Sequence, residues 1–220
     1  MTTPELNKAI PGEGQLCLLS DSPEATLSLG RWLGAHLPNR TAVALDGDLG
    51  AGKTCLVSGL ARGMGITTPT ASPTFMLVME HRDPAARLPL FHFDTYRLRD
   101  WEDFEEAGLA EYFNEDGIYA IEWARQIEAI LPEQRLSLQI RRMAGGGLQE
   151  PAADSGSDLD NSRYLILSFS PSLAALATQL KTACRQGELG RGLGLCRDLP
   201  VPEQGSGKNT TGLPAERGDS

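Results

Sequence analysis

The sequence predicts an α/β fold, and three observations lead there. The run Thr41-Ala42-Val43-Ala44-Leu45 is short, apolar and partly β-branched, as a buried strand is. It passes through Gly47-Asp48-Leu49-Gly50-Ala51-Gly52-Lys53-Thr54 into a helix-like stretch, Lys53 to Met64, with Leu56, Val57 and Leu60 on one face. Downstream, apolar strand-like runs alternate with helical patterns, and two of those runs end in an acid, Asp94 and Glu122.

The glycine loop fits G-x-x-x-x-G-K-[ST] without gaps, between a strand and a helix as that motif requires. Glycines let the backbone close around an anion, and N–H groups at the positive end of a helix dipole point at phosphate oxygens. Lys53 then supplies a charge for β- and γ-phosphates, and Thr54 a hydroxyl for Mg²⁺.

Taken in order, Gln15 to Ser20 reads as a strand. Asp21-Ser22-Pro23-Glu24 starts a helix through a capping side chain, a first-turn proline and an early acid. Leu27, Leu29, Trp32 and Leu33 form its buried side, and Pro38 ends it. After the P-loop helix, Gly63 to Thr74 is a loop. Phe75 to Glu80 and Leu88 to Phe93 form an antiparallel hairpin across the turn Asp83-Pro84-Ala85-Ala86. Asp100 to Asn114 is helical and acidic, with Gly108 as a break and its acids on a solvated face. Gly117 to Ile121 is a strand, Ala124 to Leu131 a short helix closed by Pro132, and Leu136 to Ile140 a strand. Residues 144–162, rich in Gly, Asp, Ser and Ala, read as a flexible insert between that strand and Tyr164 to Phe169. Pro171 to Cys184 is an apolar-faced helix. The domain reading is one unit over 1–184, with 185–220 a disordered tail.

Whole-chain properties narrow the function. A chain of 220 residues suits one domain. Its formal net charge of −9 makes it a poor sole binder of a polyanion. No apolar run approaches the roughly 20 residues that cross a bilayer, and Met1 to Gly14 lacks a signal-peptide pattern. The cysteines at 17, 55, 184 and 196 show neither zinc spacing nor a disulfide framework, which points to a reducing cytoplasm.

Phosphoryl chemistry on a P-loop needs a metal carboxylate, a residue that orients water and a sensor of the γ-phosphate. Asp94 and Glu122 supply the acids, one for Mg²⁺ and the other for water, without a decision between them. Ser72-Pro73-Thr74 supplies hydroxyls on a loop able to close on the γ-phosphate. His92 reads as a structural or supporting side chain, and Arg97 as a partner of phosphate or of Asp94.

GDLGAGKT, then SPTF, HFDTYRL and IEW, in this order and spacing, resembles the TsaE family, the bacterial P-loop ATPases of tRNA threonylcarbamoyladenosine biosynthesis. The resemblance spans about Gln15 to Ile140 and extends plausibly through Phe169; its specificity lies in the SPT, HxDxYR and EW elements together. It implies a P-loop NTPase-like three-layer fold with a mixed, partly parallel sheet. It also implies ATP and Mg²⁺, slow hydrolysis, and partnership with the TsaD and TsaB proteins, through which tRNA is reached only indirectly. Carried onto this chain, the nucleotide-binding residues are Asp48, Leu49, Gly50, Ala51, Gly52, Lys53, Thr54, Cys55, Ser72, Thr74 and Trp123. The metal set is Thr54, Asp94 and Glu122, and the catalytic set Glu122, Asp94 and Lys53. The chain departs from the family at Cys55, where a second hydroxyl residue is usual.

Three other readings remain. A small-molecule kinase needs an acceptor pocket and an arginine-rich lid, for which Arg135, Arg141 and Arg142 are too few. A GTPase needs an N-K-x-D element, which Asn7-Lys8-Ala9-Ile10 is not. A non-catalytic interaction module would use nucleotide only as a clamp.

Overall fold

A computed structural model describes residues 14–73, 76–143 and 162–196. In chain order the elements are β1 (Gln15–Ser20), α1 (Pro23–His36), β2 (Thr41–Gly47), α2 (Lys53–Met64), β3 (Val78–His81), β4 (Leu90–Asp94) and α3 (Trp101–Glu106). They continue with β5 (Ile118–Glu122), β6 (Arg135–Arg142), β7 (Arg163–Phe169), α4 (Ala174–Gln186) and β8 (Leu193–Leu195). Short 3-10 segments cover Leu109–Asn114, Ala124–Ile130 and Pro171–Leu173.

The strands form one sheet of order β3-β4-β5-β2-β6-β7-β1-β8. Its centre, β4-β5-β2-β6, is parallel, and antiparallel strands flank it on both sides. The sheet is therefore mixed, as expected, and it is covered on both faces. Leu29, Leu33, Leu56, Leu60, Leu176 and Leu180 of α1, α2 and α4 pack on one face, with Val43, Leu45, Ile118 and Ala120. Phe104 and Leu109 cover the other, over Phe91, Phe93, Tyr119 and Ile121.

Side chains alternate across a strand, and this alternation aims the acids. Leu90, Ile118 and Ala120 belong to the face that carries α2. Asp94 and Glu122 stand at even offsets from these residues, so they point to the P-loop helix rather than to the aromatic layer.

Local signals act as anticipated at α1: Ser22 caps it by accepting from the Ala25 amide at 3.3 Å, and the helix ends at His36 before Pro38. The structure corrects several boundaries. The first hairpin strand starts at Val78 and leaves out Met76 and Leu77, whose amides both turn back to the Pro73 carbonyl at 2.9 Å; Phe75 lies outside the described residues. The stretch from Asp100 to Asn114 breaks at Gly108 as expected, with a left-handed φ of 71°, but continues beyond it as a 3-10 segment rather than as α-helix. The tail reading fails over its first twelve residues, 185–196: α4 runs on to Gln186, and β8 adds to the β1 edge with Leu18 opposite Leu195. The insert expected at 144–162, but for Ser162, and the tail beyond Cys196 lie outside the described residues, as does Thr74.

Candidate functional site: a P-loop at the carboxyl edge of the parallel strands

The site lies where the four parallel strands end. Leu45 of β2 and Asp94 of β4 are both register partners of Glu122 of β5, so the P-loop and the two acids leave the sheet at one level. This is the edge at which open α/β sheets bind ligands.

The loop between β2 and α2 forms an anion cradle. Gly52 caps α2 with φ 116°, in the left-handed region, and a Cβ there would meet nothing within 4 Å. The helix has no side-chain cap and no acid in its first turn, so its positive end faces an open space. Gly47 has the opposite constraint: a Cβ would sit 2.5 Å from the Ile140 carbonyl oxygen.

Lys53 is buried, and its Nζ donates to the carbonyls of Gly47 at 2.6 Å and Asp48 at 3.0 Å. The ammonium also sits 3.7 Å above the ring of Trp123. Burial pushes its pKa down, while Glu122, Asp46, Asp94 and Asp48 push it back up. Trp123 is itself held in a left-handed conformation, φ 62°, a costly state for a bulky residue. Its amide donates to the Leu45 carbonyl at 2.8 Å, and its carbonyl accepts from Thr95 Oγ1 at 2.8 Å.

The Thr54 hydroxyl donates to Glu122 Oε1 at 2.8 Å, and His92 Nε2 reaches the same oxygen at 2.9 Å. Ser72 Oγ donates to Asp94 Oδ2 at 2.6 Å, joining the loop after α2 to the second acid. Asp94 Oδ1 accepts the Tyr96 amide at 3.0 Å. Both acids are buried. The sequence-predicted residues Asp48, Gly50, Ala51, Gly52, Lys53, Thr54, Ser72, Asp94, Glu122 and Trp123 thus belong to one edge of the sheet. Leu49 stands at the loop tip, 79% exposed. The Cys55 side chain turns away, its Sγ donating to the Pro23 carbonyl at 3.4 Å, so only its backbone belongs to the first turn of α2.

The sequence reading missed three contributors. Arg163 Nε donates to the Ala51 carbonyl at 3.2 Å, beside Arg142, whose Nη2 donates to Gly50 at 3.1 Å. These arginines are register partners across β6 and β7. Asp46, its pKa raised by burial, accepts the Arg125 amide at 3.2 Å and lines a cleft of about 310 Å³ with Trp123, Gln126 and Gln139. Its signal was the β2 alternation, which turns Asp46 to the face opposite α2. A larger cleft, about 710 Å³, sits at the other end of the sheet among Gln15, Phe169 and Lys181, and among the described residues no carboxylate, histidine or cysteine lines it. The carboxylates, the lysine and the hydroxyls gather instead at the P-loop edge.

The residues suit a magnesium–nucleotide pair. The cradle has the uncapped helix start and open space that a phosphate would need, and a hydroxyl and two carboxylates stand beside it. No cluster of three or more His, Cys, Asp or Glu residues forms a metal cage among the described residues. Magnesium fits such a sparse donor set because it keeps waters and takes substrate phosphates as ligands.

This fold and site define a P-loop NTPase-like α/β protein. Residues 20–147 match the family model described as threonylcarbamoyl adenosine biosynthesis protein TsaE, and the chain belongs to that family. It is 42% identical over 121 residues to the tRNA threonylcarbamoyladenosine biosynthesis protein TsaE of Bacillus subtilis, covering 55% of this chain and 74% of that one. To the protein of the same name from Treponema pallidum it is 39% identical over 128 residues, covering 58% and 93%. The crystal structure of Bacillus subtilis YdiB is similar at a TM-score of 0.58 and 31% identity, over 76% of this chain and 94% of that one.

Proposed function

We propose that the chain is an accessory, Mg²⁺-dependent ATPase in the formation of threonylcarbamoyladenosine beside the tRNA anticodon. It acts with the TsaD and TsaB proteins in the cytoplasm and hydrolyses ATP slowly alone. The observation that carries this reading is the convergence of Thr54 and Glu122 at the mouth of an open cradle, 2.8 Å apart. Family membership supports the pathway, and the four free thiols support a reducing compartment.

The residues divide the work. The amides of Gly50 to Cys55 bind the phosphates. Lys53 leaves the loop carbonyls to meet the β- and γ-phosphates. Thr54, Asp94 and Glu122 would hold Mg²⁺, which when bound spreads the charge that builds on the phosphate oxygens. Glu122 orients and deprotonates the attacking water. Ser72, tied to Asp94, senses arrival of the γ-phosphate, with Thr74, two residues on in the sequence, as the second hydroxyl. Trp123 covers Lys53 from the side and helps exclude water.

Partnership has its own support. Leu49, Met76 and Tyr96 are 79%, 61% and 54% exposed at the rim, an apolar fringe suited to a protein surface. With a net charge of −9, tRNA is left to the partners. Calorimetric titration with ATP and GTP, with co-purification against TsaD and TsaB, tests the reading. ATP binding and complex formation are expected. Preference for GTP, or failure to bind either nucleotide or partner, would overturn it.

A further inference from the structure

His92 is fully buried within β4. Its Nε2 lies 2.9 Å from Glu122 Oε1, the oxygen that already accepts Thr54 Oγ1 at 2.8 Å. A carboxylate only accepts, so Nε2 carries the proton. The other ring nitrogen, Nδ1, is buried with no hydrogen-bond partner among the described residues. Burying an unpartnered nitrogen is unfavourable, so stability alone gives no reason for an imidazole here.

The contact determines where Glu122 points. A carboxylate held through Oε1 by Thr54 alone can still swing about that single bond. The second donor comes from a different element, β4 rather than α2, and removes the swing. Oε1 is then engaged by two donors, and Oε2 is the oxygen left for the reaction. His92 achieves this along a diagonal: its register partner is Ala120, two residues before Glu122 on the same face.

We propose that His92 is a positioning residue for Glu122, fixing the carboxylate so that Oε2 addresses the nucleotide cradle. This rests on the ATPase reading above. His92 is fully buried and reaches the site only through Glu122, so its loss should act on turnover and not on binding.

The test compares wild type with His92→Leu, His92→Asn and His92→Gln in ATP hydrolysis, with calorimetric ATP affinity and thermal unfolding on the same samples. Glutamine can place a donor near Nε2, whereas asparagine is too short and leucine has none. In His92→Leu, kcat should fall about 10- to 100-fold, the range typical for loss of a supporting partner. KM and the ATP Kd should stay within about 2-fold. His92→Gln should recover most of the loss and His92→Asn little. A readout independent of hydrolysis is the His92 Nε2 proton in NMR, expected to be slow to exchange and to lose that protection in Glu122→Ala. Undiminished kcat in His92→Leu beside an active wild type would overturn this inference alone. So would Gln rescue no better than Leu, or parallel losses of kcat and ATP affinity. If His92→Leu fails to fold, the comparison of Gln with Asn decides by the same criterion. An inactive wild type would overturn the ATPase reading, and this inference with it.

Discussion

Replacing Gly59 by alanine should loosen the helix pair on which the P-loop rests. Helices α1 and α2 approach through Gly30 and Gly34 on one and Gly59 and Gly63 on the other. A Cβ on Gly59 would lie 2.2 Å from the Leu27 carbonyl oxygen and 3.0 Å from the Gly30 Cα. An ordinary carbon–oxygen contact needs about 1 Å more. The obstacle is helix backbone, which no rotamer change can move aside, so the helices must separate. Overpacking of this kind costs about 3 kcal/mol at its upper end. Alanine returns about 1 kcal/mol through helix propensity, leaving a net loss of about 2 kcal/mol. For a domain of this size that lowers the melting midpoint by about 4–8 °C, readable by far-UV circular dichroism. ATP binding should weaken as well, because the cradle amides ride on α2. An unchanged or raised midpoint, which propensity alone would give, would refute the close-contact argument. Gly34→Ala, whose Cβ would meet the Leu60 carbonyl oxygen at 2.1 Å, repeats the test at a second contact.

Other predictions follow from single contacts. Ser72→Ala removes a 2.6 Å bond to a buried carboxylate and should cost about 1.5–3 kcal/mol, seen as faster amide exchange in residues 66–73; exchange unchanged from wild type would show that Ser72 does not hold the loop. ATP should draw Lys53 from the Trp123 ring, where it sits at 3.7 Å, and change tryptophan emission. Trp123→Phe should lose that change while Trp32 and Trp101 remain. Trp123→Gly relieves the left-handed strain at φ 62° and should be less destabilising than Trp123→Ala by about 1 kcal/mol in chemical denaturation. Burial pushes the Cys17 thiol up to about 12 and that of Cys184 up to about 11. A raised pKa withholds the thiolate until the pH climbs. At pH 8 these thiols should therefore alkylate about 100-fold or more slowly than a free cysteine, gaining about tenfold per pH unit. Equal rates at pH 8 would contradict the burial.

The features legible in the sequence are those whose cause is local. The start of α2 coincides with Lys53 because the glycines that break β2 also set the helix entry. Asp94 and Glu122 were readable as strand-end acids, and strand alternation aims them at one face. What escaped is set by pairing between distant segments. Arg142 and Arg163 meet the P-loop only because β6 and β7 place them in register. Strand β8 is short and glycine-bearing, and it exists through its ladder with β1 rather than through any propensity of Leu193 to Leu195. The break at Gly108 was visible, but the change from α to 3-10 geometry beyond it was not, because the same apolar spacing serves both. His92 was legible as a structural or supporting side chain; its hold on Glu122 required the relative register of β4 and β5.

In the proposed function, Glu122, placed beside Thr54 and Lys53 by the parallel strands, carries out ATP hydrolysis in concert with partner proteins. The most direct measurement is the hydrolysis rate of wild type, Lys53→Ala and Glu122→Gln, each alone and with TsaD, TsaB and tRNA. Expected are a low wild-type rate that rises with partners, loss of binding and turnover in Lys53→Ala, and retained ATP binding without turnover in Glu122→Gln. A Glu122→Gln protein that turns over ATP at the wild-type rate in the full mixture would contradict it.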